Sequence, residues 1–285
     1  MAESDVVVVG SLNQDITVGV DRRPDGGETV LGRWVATASG GKGANQAVAV
    51  ARAGARVEMI GCVGADAAGE ALLTGLRAAG VETAGVRTLD DAPSGTALIV
   101  VDAAGENSIV VVPGANARLS AADVERALEP AGRVVLAQLE VPEEAVVAAT
   151  RAVGRFVLNA SPARPVPSVL LEAADPLIVN AGEAAAITGA DAGDAAALTA
   201  AALALGVRSI VITLGGRGAR WTTPEWSIER AAPTVDVVDT TGAGDAFAGT
   251  LAARLSRGAD PETALAAAVQ AGAEAVRWHG AQEPR

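Results

Sequence analysis

Residues Asp239-Thr240-Thr241-Gly242-Ala243-Gly244-Asp245-Ala246-Phe247 form a flexible loop of small residues directly before a long alanine-rich segment, with a carboxylate at the junction. A helix start carries unpaired backbone N–H groups and the positive end of the helix dipole. Gly242, Ala243 and Gly244 can therefore converge on an anion without side chains in the way. Asp245 beside such an anion hole can accept the proton of an attacking alcohol while the N–H groups stabilise charge on the transferred phosphoryl oxygens. That is kinase chemistry. The same residues also fit a plain helix start, with Asp245 as a cap and the glycines permitting a tight turn.

A second segment, Ser39-Gly40-Gly41-Lys42-Gly43-Ala44-Asn45-Gln46, opens another helical run, expected over 47–56, after a strand-like stretch. It is not a Walker A loop, because Gly43 follows Lys42 where a Ser or Thr hydroxyl would meet magnesium. Dinucleotide binding is disfavoured as well, since Gly10 after the first strand, Val6 to Val9, leads into Ser11-Leu12-Asn13 rather than a second glycine.

Together the two glycine segments resemble the two signatures of the ribokinase-like, or PfkB, family of carbohydrate kinases. The first runs from Gly40 to about Gly64 and the second from Asp239 to Gly249. The resemblance extends along nearly the whole chain, through Gly10-Ser11-Leu12-Asn13-Gln14-Asp15, Gln138-Leu139-Glu140 and Asn180-Ala181-Gly182-Glu183. It implies a three-layer α/β fold with a central, mainly parallel sheet, helices on both faces and a small β-sheet lid. The implied reaction is ATP-dependent phosphorylation of D-ribose at its 5-hydroxyl, giving ribose 5-phosphate and ADP.

Site roles follow from the resemblance residue by residue. Asn13, Asp15, Gly41, Lys42, Asn45 and Glu140 would bind the sugar, with Asp245 as the base and Gly242, Ala243 and Gly244 at the phosphoryl group. Asn180, Thr213, Gly215, Gly218 and Gly244 would hold ATP, and Glu183 would position Mg2+ through its water shell. A monovalent cation, K+ in this family, would lie near Asp239, Thr241, Val276, His279 and Ala281, bound largely by backbone oxygens. Here the family's Gly-Ala-Gln-Pro-Ser pattern becomes Gly280-Ala281-Gln282-Glu283-Pro284, without the usual hydroxyl.

The residue types suit these roles. A polyol needs paired donors and acceptors, and a site that leaves none unpaired rejects analogues lacking a hydroxyl. Magnesium keeps several waters, so a single carboxylate can be enough. Taken singly, each residue also has an ordinary reading. Asp15 fits a turn after a strand, Glu140 a loop charge before Pro142, Glu183 a first-turn helix acid, and the glycines of Thr213-Leu214-Gly215-Gly216-Arg217-Gly218 a hairpin turn.

The positioning elements are legible as apolar runs at Val57 to Val63, Val134 to Ala137, Phe156 to Leu158, Leu177 to Val179 and Ser209 to Ile212, separated by helical-length segments rich in Ala, Leu and Glu. This alternation predicts a parallel sheet covered on both faces, with ligands at the carboxyl ends of strands, where Asn180 and Thr213 stand. Ser94 to Val112 breaks the pattern and reads as a hairpin turning at 102–107, apolar on both faces. The expected organisation is one kinase domain over 1–285, with a lid from about 12–38 and 94–112 inserted into the core. A lid apolar on both sides needs cover, which predicts a homodimer joined lid to lid.

Composition agrees. The 285 residues are ample for a buried core, and 50% hydrophobic content, much of it Ala and Val, suits a helix-and-sheet interior. The 22 basic against 34 acidic residues leave a formal charge of −12, which opposes nonspecific binding to nucleic acid or an anionic membrane. Lys42, magnesium and helix N-termini would then supply the positive potential for ATP locally. The single Cys62 allows no internal disulfide, and one Cys with one His cannot furnish a typical structural zinc site. The start, Met1-Ala2-Glu3-Ser4-Asp5, lacks the blocks of a secretory signal, and no uncharged run approaches a bilayer span, so a cytoplasmic location is expected. His279 has no nucleophile motif to make a hydrolase. The alternatives to a ribose kinase are a kinase for a nucleoside or another sugar and, from a different class, a noncatalytic sugar-sensing protein.

Overall fold

The computed structural model of the chain describes residues 5–128, 133–151 and 154–282. In chain order, β1 (Val6–Val9), β2 (Asn13–Val20) and β3 (Gly32–Gly40) lead into α1 (Lys42–Arg52). β4 (Val57–Gly64), α2 (Ala67–Ala78), β5 (Val81–Glu82) and β6 (Val86–Leu89) precede the hairpin of β7 (Gly95–Val101) and β8 (Asn107–Val112). Strands and helices then alternate through α3 (Ala121–Ala127), β9 (Val134–Ala137), α4 (Glu143–Ala149), β10 (Arg155–Asn159), α5 (Ser168–Ala173) and β11 (Leu177–Asn180). α6 (Ala181–Thr188), α7 (Ala195–Ala204), β12 (Ile210–Thr213), β13 (Ala219–Thr222), β14 (Ser227–Arg230), α8 (Ala243–Ser256) and α9 (Pro261–Ala275) complete the described elements.

The central sheet runs β14-β13-β12-β11-β10-β9-β1-β4-β5, with β6 paired to β4. From β12 to β5 the pairings are parallel, and β13 and β14 add an antiparallel edge. Strand β1, flanked by β9 and β4, shows why the fold has three layers. Val6 and Val8 pack with Ala47, Leu251 and Leu265 on one face, while Val7 and Val9 pack with Val124, Val146 and Leu170 on the other. A continuous apolar run is what a strand needs when both faces are covered, and each valine so buried contributes about 1.5–3 kcal/mol. The expected strands lie where the apolar runs placed them, β9 at its anticipated ends and the others within a residue or so.

The first glycine segment corrects one expectation. The helix anticipated over 47–56 opens at Lys42, with Gly41 as N-cap, and ends at Arg52. Lys42, Asn45 and Gln46 are therefore helical residues of α1 rather than loop residues. At the other end Ala53 caps the helix and Gly54, a poor helix former, follows it.

A second sheet, ordered β3-β2-β7-β8, stands beside the first. β2 is antiparallel to β3 and parallel to β7, and β8 returns antiparallel on β7. Along β8, Ile109, Val110, Val111 and Val112 are 53%, 61%, 45% and 48% exposed. Successive strand residues point to opposite faces, so both faces of this edge strand lack cover.

Two helices complete the frame of the site. A Cβ on Gly249 of α8 would lie 2.5 Å from the Gln46 carbonyl oxygen and 2.6 Å from the Ala49 Cβ of α1. Glycine therefore lets the two helices cross closely enough for Asn45 and Gln46 to reach Asp245. Among the described residues, no helix is long and apolar enough to cross a membrane, and no cluster of three His, Cys, Asp or Glu could hold a metal ion. Cys62 is buried in the core, where burial pushes its thiol up.

Candidate active site

Asp245 lies in the first turn of α8, only 8% exposed. Its Oδ1 accepts a 2.8 Å hydrogen bond from Gln46 Nε2, and its Oδ2 accepts one of 3.2 Å from Asn45 Nδ2. Burial pushes its carboxyl above the usual carboxylate range. The Lys42 charge and the two amide donors oppose that push, and the Glu140 charge adds to it. An upward shift makes the ionised form a stronger proton acceptor than an exposed carboxylate.

The helix start expected to meet an anion begins at Gly242, the N-cap of α8, whose φ of 80° is left-handed. A Cβ there would meet the Ala281 Cα at 2.5 Å, so the loop and the C-terminal segment touch through the missing side chain. Ala246 N bonds back to Gly242 O at 2.9 Å, which sets the first helical turn. Ala243 N is turned toward Thr240 O at 3.3 Å, a long bond that an arriving anion would have to displace. Nothing lies within 4 Å of a Cβ added to Gly244.

The polar residues expected on the sugar side gather around Asp245. Glu140 Oε2 accepts from Ser11 Oγ at 2.5 Å and from the Lys42 backbone N–H at 3.2 Å. Asn13 Oδ1 accepts from Asn116 Nδ2 at 2.8 Å. A Cβ on Gly40 would lie 2.1 Å from Asp15 Oδ2, so the β2–β3 pairing tucks this carboxylate against the strand leading to Gly41 and α1. Burial first, then the charges of Glu140 and Asp245, push the Asp15 carboxyl up to about 6.

That shift carries a pH dependence. A carboxyl whose folded pKa lies above its unfolded value of 3.8 binds more protons in the folded state, so its contribution falls as pH rises from near 4 through about 6. Asp15→Asn mimics the protonated carboxyl. In the absence of ligands it should raise Tm relative to the parent at about pH 7.5 and leave it nearly unchanged near pH 4. Equal Tm differences at both pH values in a thermal melt would contradict the assigned shift.

Beside the start of α8, Thr213, Gly215, Gly218, Gly244 and Val276 line one cavity of about 250 Å³, with Phe247 also in its wall. A flat aromatic base suits this lining, with phosphates directed toward the helix start. Gly215 lies in the short 3-10 turn Gly215–Arg217, which with Gly218 links β12 to antiparallel β13, so these glycines form a hairpin turn and also line the cavity. Asn180 pairs in register with Thr213 at the strand ends. Asn180 and Glu183 form a reciprocal capping box, Glu183 N to Asn180 Oδ1 at 2.8 Å and Asn180 N to Glu183 Oε2 at 2.9 Å. A single carboxylate here fits a magnesium ion held through water.

The segments named for a monovalent cation also converge. Asp239 Oδ1 accepts from Thr241 N and Oδ2 from Gly280 N, each at 2.9 Å. Against the cost of burial, these bonds and the nearby His279 hold the Asp239 carboxyl below its ordinary range. Val276 O accepts from Val238 N and Asp239 N, and Ala281 O faces Gly242. The oxygens gathered here are of the type a hard monovalent cation would need, and those of Asp239 and Val276 accept backbone N–H bonds. Glu283 and Pro284, where the sequence departs from the family pattern, lie outside the described residues.

Sequence reasoning named no role for Ser11, Gln46, Asn116, Asn159 or Gln282. Ser11 and Gln46 lay inside quoted motifs, and Gln282, which donates to Asn45 Oδ1 at 3.1 Å, lay in the C-terminal one. Asn116 holds Leu12 N and O at 2.9 and 3.0 Å, across 104 residues of sequence. No local pattern could have announced such a pairing.

A three-layer α/β core with a buried carboxylate at a glycine helix start, polar side chains around it and a cavity lined by the same helix start is the arrangement of a small-molecule kinase. Comparison with known proteins narrows the class. Residues 3–285 match the pfkB family carbohydrate kinases, and the chain belongs to that family. It is 41% identical over 283 residues to a ribokinase of Bacillus subtilis, covering 97% of this chain and 94% of that protein. A deoxyribokinase of Salmonella typhi is 34% identical over 288 residues, covering 98% and 94%. The solved structure of an Arabidopsis thaliana ribokinase complexed with ribose and ATP superposes with a TM-score of 0.89 at 32% identity, covering 99% of this chain and 95% of that one.

Proposed function

We propose that this kinase transfers the γ-phosphoryl group of ATP to the 5-hydroxyl of D-ribose, giving ribose 5-phosphate and ADP. The observation that carries the proposal is the buried Asp245, held by Asn45 and Gln46 at the start of α8 and faced by Lys42 and Glu140. The sugar-binding set is Asn13, Asp15, Gly41, Lys42, Asn45 and Glu140. In the reaction, Asp245 takes the hydroxyl proton as that oxygen forms its bond to the γ-phosphorus, and the bond to the bridging oxygen of ADP breaks in line. The N–H groups of Gly242, Ala243 and Gly244 stabilise charge on the transferred group. Magnesium, held through water by Glu183 with Asn180 near the phosphates, would neutralise phosphate charge.

Coupled ADP release with magnesium ATP tests this on ribose, 2-deoxyribose, fructose, adenosine and no sugar. Turnover dependent on ribose and weak on the others is the expected result. A second reading, 2-deoxyribose as the preferred sugar, is favoured by the 34% identity to a deoxyribokinase, and higher kcat/KM on that sugar would establish it. Thermal stabilisation by ribose without ADP formation on any acceptor would indicate a sugar sensor.

Three further parts belong to the same proposal. The Asp239, Thr241, Val276, His279 and Ala281 region would hold K+, so turnover should be higher in potassium than in sodium or choline. The second sheet, formed by about 12–38 and 94–112, acts as a lid on a single kinase domain that works in the cytoplasm. Two such lids pack together in a homodimer through their uncovered apolar strands. Sedimentation at micromolar concentration should show a dimer, and Val110→Asp should shift it to monomer. A monomeric parent chain would refute the lid pairing.

A further inference from the structure

Gln46 is fully buried on α1 and has no part in the transfer described above. Its primary amide offers two N–H donors and one oxygen, and all three directions are used. Nε2 donates to Asp245 Oδ1 at 2.8 Å and to Asn159 Oδ1 at 2.9 Å, while Oε1 accepts from Gln138 Nε2 at 2.6 Å. Asn159 in turn donates through Nδ2 to Ile178 O at 3.2 Å. A chain of amides thus runs from the central sheet, at β11, through β10 and α1 to the first turn of α8. Reversing the Gln46 amide would set its oxygen against both Asp245 Oδ1 and Asn159 Oδ1, so the network admits one orientation.

We propose that Gln46 is a positioning residue for Asp245. Through it the carboxylate is anchored to the sheet, aimed toward the acceptor hydroxyl and kept ionised in a buried setting. This rests on the reading of Asp245 as the base. With Gln46 bound at Oδ1 and Asn45 at Oδ2, the remaining lone pairs of the carboxylate are those that can receive the proton. The charges facing it are Lys42 on α1, which favours the ionised form, and Glu140 after β9 and Asp15 on β2, which oppose it. Two amide donors and one ammonium therefore oppose burial and two carboxylates, and the loss of one donor moves the carboxyl further toward protonation.

The test compares Gln46→Met and the more closely isosteric Gln46→Glu with the parent and with Asp245→Asn, using ribose and magnesium ATP. Each Gln46 variant should lose about 10- to 100-fold in kcat with little change in the KM for ribose, the scale of one hydrogen bond to a charged group. The acid limb of the kcat/KM profile should move to higher pH, further for Glu than for Met. A role confined to packing would lower Tm without moving that limb. Should neither variant fold by circular dichroism, Gln138→Met removes the donor to Gln46 Oε1 without touching Asp245 and should give the same split more weakly. A folded variant with parental kcat and an unmoved acid limb overturns the proposal. Near-parental turnover in Asp245→Asn would instead overturn the assignment of the base, so the two failures are distinguishable.

Discussion

An Asp245→Asn variant is expected to lose roughly 10²- to 10⁴-fold in kcat, the range a positioned general base supplies, while still binding ribose measurably. The shape and burial of the side chain are kept, and Gln46 Nε2 can still donate to the amide oxygen. The amide cannot accept the hydroxyl proton, so the loss falls on the chemical step. Asparagine offers one acceptor oxygen where the carboxylate offers two, and the Asn45 donor at 3.2 Å loses its partner. Near neutral pH that lost bond is set against relief of a carboxylate that burial disfavours, so Tm should hold or rise while kcat falls. Coupled ADP release measures kcat, and titration calorimetry with ribose measures the retained binding. Turnover within tenfold of the parent would remove Asp245 from the mechanism.

Gly242→Ala should cost roughly 10²- to 10³-fold in kcat, comparable to removing an oxyanion-hole donor, through geometry rather than through a lost functional group. The residue sits at φ 80°, where a non-glycine side chain is strained by on the order of 1–3 kcal/mol. Its Cβ would fall 2.5 Å from Ala281 Cα and 2.7 Å from Ala281 O, backbone atoms that cannot swing aside. The loop and the C-terminal segment must separate, which turns the first N–H groups of α8 away from the phosphoryl position and disturbs the oxygens around Asp239. Gly244→Ala is the control, because its added Cβ meets nothing within 4 Å and the position is helical. That variant should keep the parental Tm. A Gly242→Ala protein with normal kcat and Tm would show that the loop tolerates a side chain and that its conformation is not required.

Both expectations concern positions that the sequence announced, and this separates what was legible from what was not. The nine residues from Asp239 to Phe247 carry the loop, the helix start and the carboxylate within one continuous segment, so local spacing was enough to find them. The parallel sheet was readable for a similar reason. Buried strands such as Val6–Val9 and Val134–Ala137 are apolar throughout because both faces are covered. The helix start at Lys42 was misplaced because an N-cap glycine with no side-chain bond leaves no local mark of where the backbone turns helical. Ala243 shows the limit from the other side, since a glycine-rich pattern foretells exposed N–H groups but not that one of them turns back to Thr240.

Chemical identity was thus set along the chain. The sequence determined which residue types are available as base, donors and sheet core, because each depends on a side chain or on a short run of neighbours. Tertiary structure alone decided which of them meet. The Gln46 to Asp245 bond spans 199 residues, the Asn45 to Gln282 bond 237 and the Asn116 to Leu12 bonds 104. Such pairings exist only after the sheet has brought distant strand ends to one edge and α1 has packed against α8 across Gly249. Burial and the neighbouring charges that shift Asp15 and Asp245 arise at the same step, because both are properties of the assembled site rather than of any segment.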